Sequence, residues 1–175
     1  AHFRAPVATD SVTDDETLRL HGMPHTLFSY ATSLSYVEVD EITGAVTVEK
    51  YLTVSDCGNV LNPQVYEQQI QGGICQGLGL ALYEDFGTMD GHITTKDLST
   101  YLTPTVTDVP DVESIAMGIY EQSGPFGAKG IGEISTNGPL PAIANALFDA
   151  TGYIFKKSPI TPEMVMESLK TNRLE

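Results

Sequence analysis

Residues 123–135 read SGPFGAKGIGEIS, with glycines at 124, 127, 130 and 132 leading to one carboxylate, Glu133. Glycine allows positive φ and lets backbone come close to another group, so this density fits a chain shaped around something. Taken alone, the same density fits an ordinary mobile surface loop. The flanks favour the first reading. Residues 115–120 read as a strand entering the loop. Residues 137–152, NGPLPAIANALFDATG, have helix-start chemistry at Asn137 and Pro139 and a stop at Gly152. A glycine-rich turn leading to a helix N-terminus is a place where backbone N–H groups converge on an anion or on developing negative charge.

Working outward, Tyr36, Val37, Glu38, Val39 and Asp40 alternate, turn through Ile42, Thr43 and Gly44, and return through Val46, Val48, Tyr51, Leu52 and Val54. This predicts a β-hairpin with one wet face carrying Glu38, Asp40, Glu49 and Lys50. Asp56, Gly58, Asn59 and Asn62 then form a turn, with Asn62 as cap and Pro63 as first residue of a helix over residues 63–85. Ile70, Ile74, Leu78 and Leu82 place one stripe of it on a core.

That helix also holds Gly72, Gly73, Gly77 and Gly79. Each interior glycine costs about 0.8 to 1.0 kcal/mol relative to alanine, together about 3 to 4 kcal/mol if they add. Such a helix gains close backbone approach, either to a neighbouring element or to a ligand, and Gln69, Gln71 and Gln76 offer amides suited to a polar heterocycle or simply to water. Residues 87–101 read as a hairpin or irregular excursion turning at Asp90 and Gly91, and Thr103, Pro104 and Pro110 break the next stretch into extended pieces. Thr161 caps and Pro162 opens a last helix whose Met164, Val165 and Leu169 face a core, while Lys156 and Lys157 are solvated. The fold class is α+β, a mixed arrangement of β-hairpins packed with a long glycine-rich helix and two further helices.

The 175 residues suffice for one cored domain or for part of a larger protein. Asp and Glu outnumber Lys and Arg by 23 to 9, a net charge of −14, which argues against nucleic acid and anionic membrane surfaces as partners. No apolar run approaches the ~20 residues of a membrane span and no secretory signal is evident, giving a cytoplasmic expectation. Cys57 and Cys75 have no spacing suited to zinc or an iron–sulfur cluster and read as buried thiols.

Named chemistries can be tested against these residues. A phosphate-binding P-loop fails, because Ala128 precedes Lys129 and Gly130 stands where Ser or Thr is required. A serine-nucleophile elbow is absent, and His2, His21, His25 and His92 lie in segments read as terminus or turn. Glycosidase chemistry needs a second positioned carboxylate that the sequence does not pair with Glu133. Glu133 is left as a lone candidate base.

The segments FSYATSLSYVEVDEITG, SDCGNVLNP, QIQGGICQGLGLALYE, GPFGAKGIGE and SPITPE follow one another between residues 21 and 169. On these motifs the chain resembles the C-terminal part of the molybdenum-binding subunit of the xanthine dehydrogenase and aldehyde oxidase family. Residues 1–20 have no clear periodicity and read as a linker or edge segment, and the resemblance implies that residues 21–175 are a C-terminal portion of a molybdopterin-binding domain. It implies that Glu133 is the general base in the oxidative hydroxylation of an N-heterocycle or aldehyde carbon with water as oxygen source. Gln69 then hydrogen-bonds the pterin, Gly72, Gly73, Gly130 and Gly132 admit the cofactor against backbone, and Asp56 and Asn62 border its dinucleotide. No protein side chain need ligate the metal, because the cofactor's dithiolene does so. The expected partners are the upstream portion of the molybdenum subunit, iron–sulfur and FAD-bearing subunits or domains, and a small-molecule substrate. Two other readings stand beside this one: a non-catalytic assembly or binding module that keeps the fold, and a fragment of a carbon monoxide dehydrogenase-type molybdenum subunit.

Overall fold

The computed structural model describes residues 27–172. The readings made for residues 1–20 and for His2, His21 and His25 lie outside the described residues. The hairpin consists of β1 (Tyr30–Val39) and β2 (Val46–Asp56), paired antiparallel. Its turn is fixed by Asp40, whose side chain accepts from the backbone N–H groups of Ile42 and Thr43, and by Gly44 at φ +73°. The register slips at one point: Tyr36 opposes Lys50 while Val37 opposes Val48. The extra residue, Glu49, puts Val48 and Tyr51 on the same buried face although they are three apart.

A third strand, β5 (Asp111–Ala116), pairs parallel with residues 50–55 of β2, giving the order β1-β2-β5. A parallel pairing requires a crossover. Here it is α1 (Pro63–Leu82) followed by an excursion that contains a two-stranded ribbon of β3 (Thr88–Met89) and β4 (His92–Ile93), turned by Asp90 at φ +50° and Gly91 at φ +78°. The strand expected at residues 115–120 thus lies four residues earlier, because its extent is set by what β2 offers to pair with; Gly118, at φ +68°, ends it. α2 (Pro139–Thr151) and α3 (Pro162–Asn172) complete the helical layer. Among the described residues no helix is long and apolar enough to cross a membrane.

Helix boundaries follow local chemistry. The Asn62 Oδ1 accepts from the Val65 N–H at 3.2 Å, as a cap should. α1 ends at Leu82 rather than residue 85, with the Tyr83 and Glu84 N–H groups both turned back onto the Gly79 carbonyl. α2 differs from expectation: its cap is Gly138, without a side-chain hydrogen bond, and Asn137 lies outside the helix. Gly152, at φ +71°, closes α2 as foreseen, and Thr161 Oγ1 accepts from the Met164 N–H in the first turn of α3.

Two buried clusters meet along α1. Ile70 and Ile74 pack with Tyr51, Cys57 and Tyr66, with Ile131 and Ile134 of the glycine-rich segment against them. Leu78 and Ala81 pack with Val48, Ile143, Leu147, Ile160 and Val165. The interior glycines make this closeness possible. A Cβ on Gly73 would lie 1.9 Å from Ser135 Oγ, and one on Gly77 would lie 2.6 Å from the buried ring of Pro139. Packing is therefore the task of Gly73 and Gly77, while a Cβ on Gly72 would meet nothing within 4 Å.

Gly77→Ala decides between two opposed effects. Alanine gains about 0.8 to 1.0 kcal/mol of helix propensity, whereas forcing a methyl into a well-packed site costs about 1 to 3 kcal/mol. Because the Pro139 ring is rigid and buried, the variant is expected to be destabilised in a urea unfolding curve, and Gly72→Ala to be neutral or stabilised.

Candidate active site and its family

The glycine-rich segment runs from the end of β5 to the start of α2 and is tied down along its length. Its middle lies against the residues just after β2: the Asn59 N–H donates to the Gly127 carbonyl at 2.7 Å, and the Lys129 N–H donates to the Cys57 carbonyl at 2.8 Å. Gly58, at φ +71°, leaves only enough room for this, since a Cβ there would lie 2.4 Å from the Gly127 oxygen. The Asn59 side chain adds a donor to the Phe126 carbonyl at 3.2 Å.

Lys129 supplies the second anchor. Its Nζ lies 2.7 Å from Asp56 Oδ2 and 3.1 Å from the Phe28 carbonyl, and sits 5.5 Å from the centre of the Tyr30 ring. The two charged side chains are only 8% and 12% exposed, so each is the other's substitute for water. The hydrogen bond from Lys129, helped by its charge and by the Gly58 N–H and opposed by burial, holds the Asp56 carboxyl below the usual carboxylate range. Nearby, Ser29 Oγ donates to the Gly130 carbonyl at 2.7 Å.

The third anchor comes from α1. Gln69 Nε2 donates to the Gly132 carbonyl at 2.7 Å, and Ser135 Oγ donates back to the Gln69 backbone carbonyl at 3.4 Å. Between these two contacts stands Glu133, whose carbonyl accepts from the Thr136 N–H at 3.1 Å while its side chain projects into solvent. The Glu133 carboxylate has no hydrogen-bond or ion-pair partner among the described residues. A Cβ on Gly130 or Gly132 would meet nothing within 4 Å, as at Gly72.

The residues proposed from the sequence thus fall into two groups. Gln69, Gly132 and the exposed Glu133 come together where α1 meets the segment, while Gly72 on α1 and Gly130 on the segment are each open, among the described residues, where a Cβ would stand. Asp56, Asn62 and Gly73 are engaged inside the chain: Asp56 with Lys129, Asn62 as the cap of α1, and Gly73 against Ser135. Sequence reasoning missed the Lys129–Asp56 pair, because residues 73 positions apart share no spacing rule. It missed Ser29 and Ser135 for the same reason.

A family profile described as a molybdopterin cofactor-binding domain matches residues 4–110. The chain belongs to the molybdopterin cofactor-binding domain family. Among curated relatives, a probable hypoxanthine oxidase of Escherichia coli K12 is 34% identical over 149 residues, covering 84% of this chain and 16% of its own length. An aldehyde oxidoreductase of Megalodesulfovibrio gigas is 36% identical over 150 residues, covering 85% and 16% respectively. The solved aldehyde oxidoreductase from Desulfovibrio gigas superposes with a TM-score of 0.78 at 34% identity, over 85% of this chain and 16% of that one. A carbon monoxide dehydrogenase with copper and molybdenum has a TM-score of 0.77 at 22% identity, over 87% of this chain and 20% of that one, which shows a shared fold. The chain thus spans about a sixth of the length of these curated relatives. The mixed helix-and-strand fold is that of part of the molybdopterin-binding domain in such aldehyde oxidoreductases.

The lowered pKa of Asp56 makes a signed prediction. A depressed folded-state value stabilises the fold above the unfolded value of about 3.9, and that contribution is lost as pH falls through the folded value. Asp56→Asn is expected to be less stable than the parent at pH 7, with the difference between their unfolding curves shrinking as pH is lowered below about 4. Urea titrations of both proteins across that range check this.

Proposed function

We propose that this chain is the base-bearing C-terminal portion of a molybdenum hydroxylase, one that adds oxygen from water to a carbon of an N-heterocycle or aldehyde. The observation that carries the reading is the hydrogen bond from Gln69 to the Gly132 carbonyl beside the exposed Glu133, with Gly72, Gly130 and Gly132 each open, among the described residues, where a Cβ would stand. Flat, polar cofactors need backbone within reach, and glycines whose missing Cβ faces open space provide it. The residues present therefore fit a molybdopterin, as a dinucleotide form in our reading, which when bound supplies the electron sink for the oxidation.

The chain's own residues supply position and proton transfer. Gln69 has its Nε2 committed to the Gly132 carbonyl, which leaves Oε1 to accept from N–H groups on the pterin. Gly130 and Gly132 allow the backbone that leads to Glu133 to approach. Glu133 takes up the proton released as oxygen is transferred to substrate, and its anchored backbone fixes where that proton is received. Asp56 and Asn62 act one step removed, holding the loop and the start of α1.

Because the chain spans only a fraction of its relatives, the upstream portion of the molybdenum subunit, with iron–sulfur and flavin subunits or domains, would complete the site and carry electrons away. Alone, the chain is expected to show little or no turnover. In the assembled enzyme, Glu133→Gln should leave molybdenum and pterin content intact while kcat falls by about 10²- to 10⁴-fold, the usual contribution of general base catalysis. Metal analysis alongside steady-state kinetics reads both; unchanged turnover would remove Glu133 from the chemistry.

A further inference from the structure

Gln69 lies at the start of the glycine-rich part of α1, and its side-chain amide is asymmetric in what it can do. Nε2 can only donate and Oε1 can only accept. The structure commits the donor to the chain itself: the 2.7 Å hydrogen bond ends on the carbonyl of Gly132, the residue immediately before Glu133. The same turn of helix receives Ser135 Oγ on the Gln69 carbonyl, two residues after Glu133. The segment 132–135 is therefore gripped on both sides of the carboxylate by one residue of α1. Other contacts add to this hold, the Thr136 N–H on the Glu133 carbonyl and Ile134 packed against the buried cluster, whereas the Lys129 and Ser29 side-chain contacts end at Asp56, Phe28 and Gly130.

We propose that Gln69 is a positioning residue for Glu133: by holding the Gly132 carbonyl it fixes the backbone from which the base projects. This rests on the reading of Glu133 as base, and it assigns to the donor end of Gln69 a task separate from cofactor contact. The route from Gln69 Nε2 to the Glu133 backbone is one hydrogen bond and one peptide unit, short enough for loss of the bond to displace the carboxylate. Displacement of a reacting group by about 1 Å can lower a rate by about 10²-fold.

Two substitutions separate the donor from the acceptor. Gln69→Glu keeps the shape and the acceptor oxygen but replaces the donor with a second oxygen that repels the Gly132 carbonyl. Gln69→Met keeps length and removes both. In the assembled enzyme both are expected to lower kcat about 10- to 100-fold; Gln69→Glu, which keeps the acceptor oxygen, is expected to hold KM and molybdenum content close to the parent. Gln71→Met, on the same helix, serves as control with parent kinetics. Hydrogen exchange of the assembled protein provides a readout without turnover: amides in residues 130–135 should exchange several-fold faster in both Gln69 variants, while those of β2 keep their protection.

Full kcat in Gln69→Glu would overturn the proposal, because an acceptor-only role survives that change. Loss of turnover in Gln69→Glu matched by loss of molybdenum would also overturn it, placing Gln69 among the cofactor contacts alone. If the exchange effect appears but the assembled parent protein itself holds no molybdenum, the anchoring of Glu133 stands and the molybdenum reading fails.

Discussion

The closest constraint in this chain is the distance between α1 and the segment that runs from Gly132 to Pro139. No side chain fits between them at two successive turns: Gly73 lies against Ser135 and Gly77 against Pro139, each closer than a methyl group would allow. The burial of Ile70, Ile74 and Leu78 on the same helix offsets the propensity lost to the glycines, at about 1.5 to 3 kcal/mol for each side chain removed from water. What this closeness secures is register. With Gly73 seated on Ser135, Gln69 one turn earlier comes within reach of the Gly132 carbonyl. With Gly77 seated on Pro139, α2 starts where its Ile143 and Leu147 enter the core.

The glycine-rich segment is consequently a held structure rather than a mobile loop. Three elements fix it: the residues after β2 through backbone pairing, Lys129 through Asp56 and the lead into β1, and α1 through Gln69. Such multiple anchoring lets the proposed base, Glu133, project into open space without losing its address. Preorganisation of this kind is what general base catalysis requires, since a base held in place gives up little entropy at the moment of reaction. The glycines then divide by task. Gly58 permits close approach of backbone, Gly127 makes room for the Tyr120 ring, Gly73 and Gly77 let α1 approach Ser135 and Pro139, and Gly72, Gly130 and Gly132 face space that the described residues do not fill.

Much of this was legible in the sequence because it rests on local chemistry. The alternation of residues 36–54 specified the hairpin, Asn62 with Pro63 specified the start of α1, and the cluster before Glu133 specified the candidate base. The boundaries that shifted depend on partners far away in the chain. β5 takes its limits from the strand it pairs with, and the cap of α2 falls on Gly138 because Pro139, its first residue, is pressed against Gly77. Asp56 illustrates the limit most clearly. The family resemblance suggested a cofactor border there, and only the fold shows Lys129, 73 residues later, closing on it. The helix glycines posed a question that sequence could not decide, and the answer is split: Gly73 and Gly77 pack, whereas Gly72 stays open.

The central claim is that the bare glycine surface beside Glu133 is the protein's share of a molybdopterin site. A structure of the assembled protein, purified with its native partners, tests this most directly. The account predicts cofactor density lying against the backbone of Gly72, Gly130 and Gly132, with the Gln69 side chain bridging the Gly132 carbonyl and the pterin and the Glu133 carboxylate turned toward the metal. Side chains of another polypeptide packed over those three glycines, with Glu133 paired to one of them and no cofactor present, would contradict it.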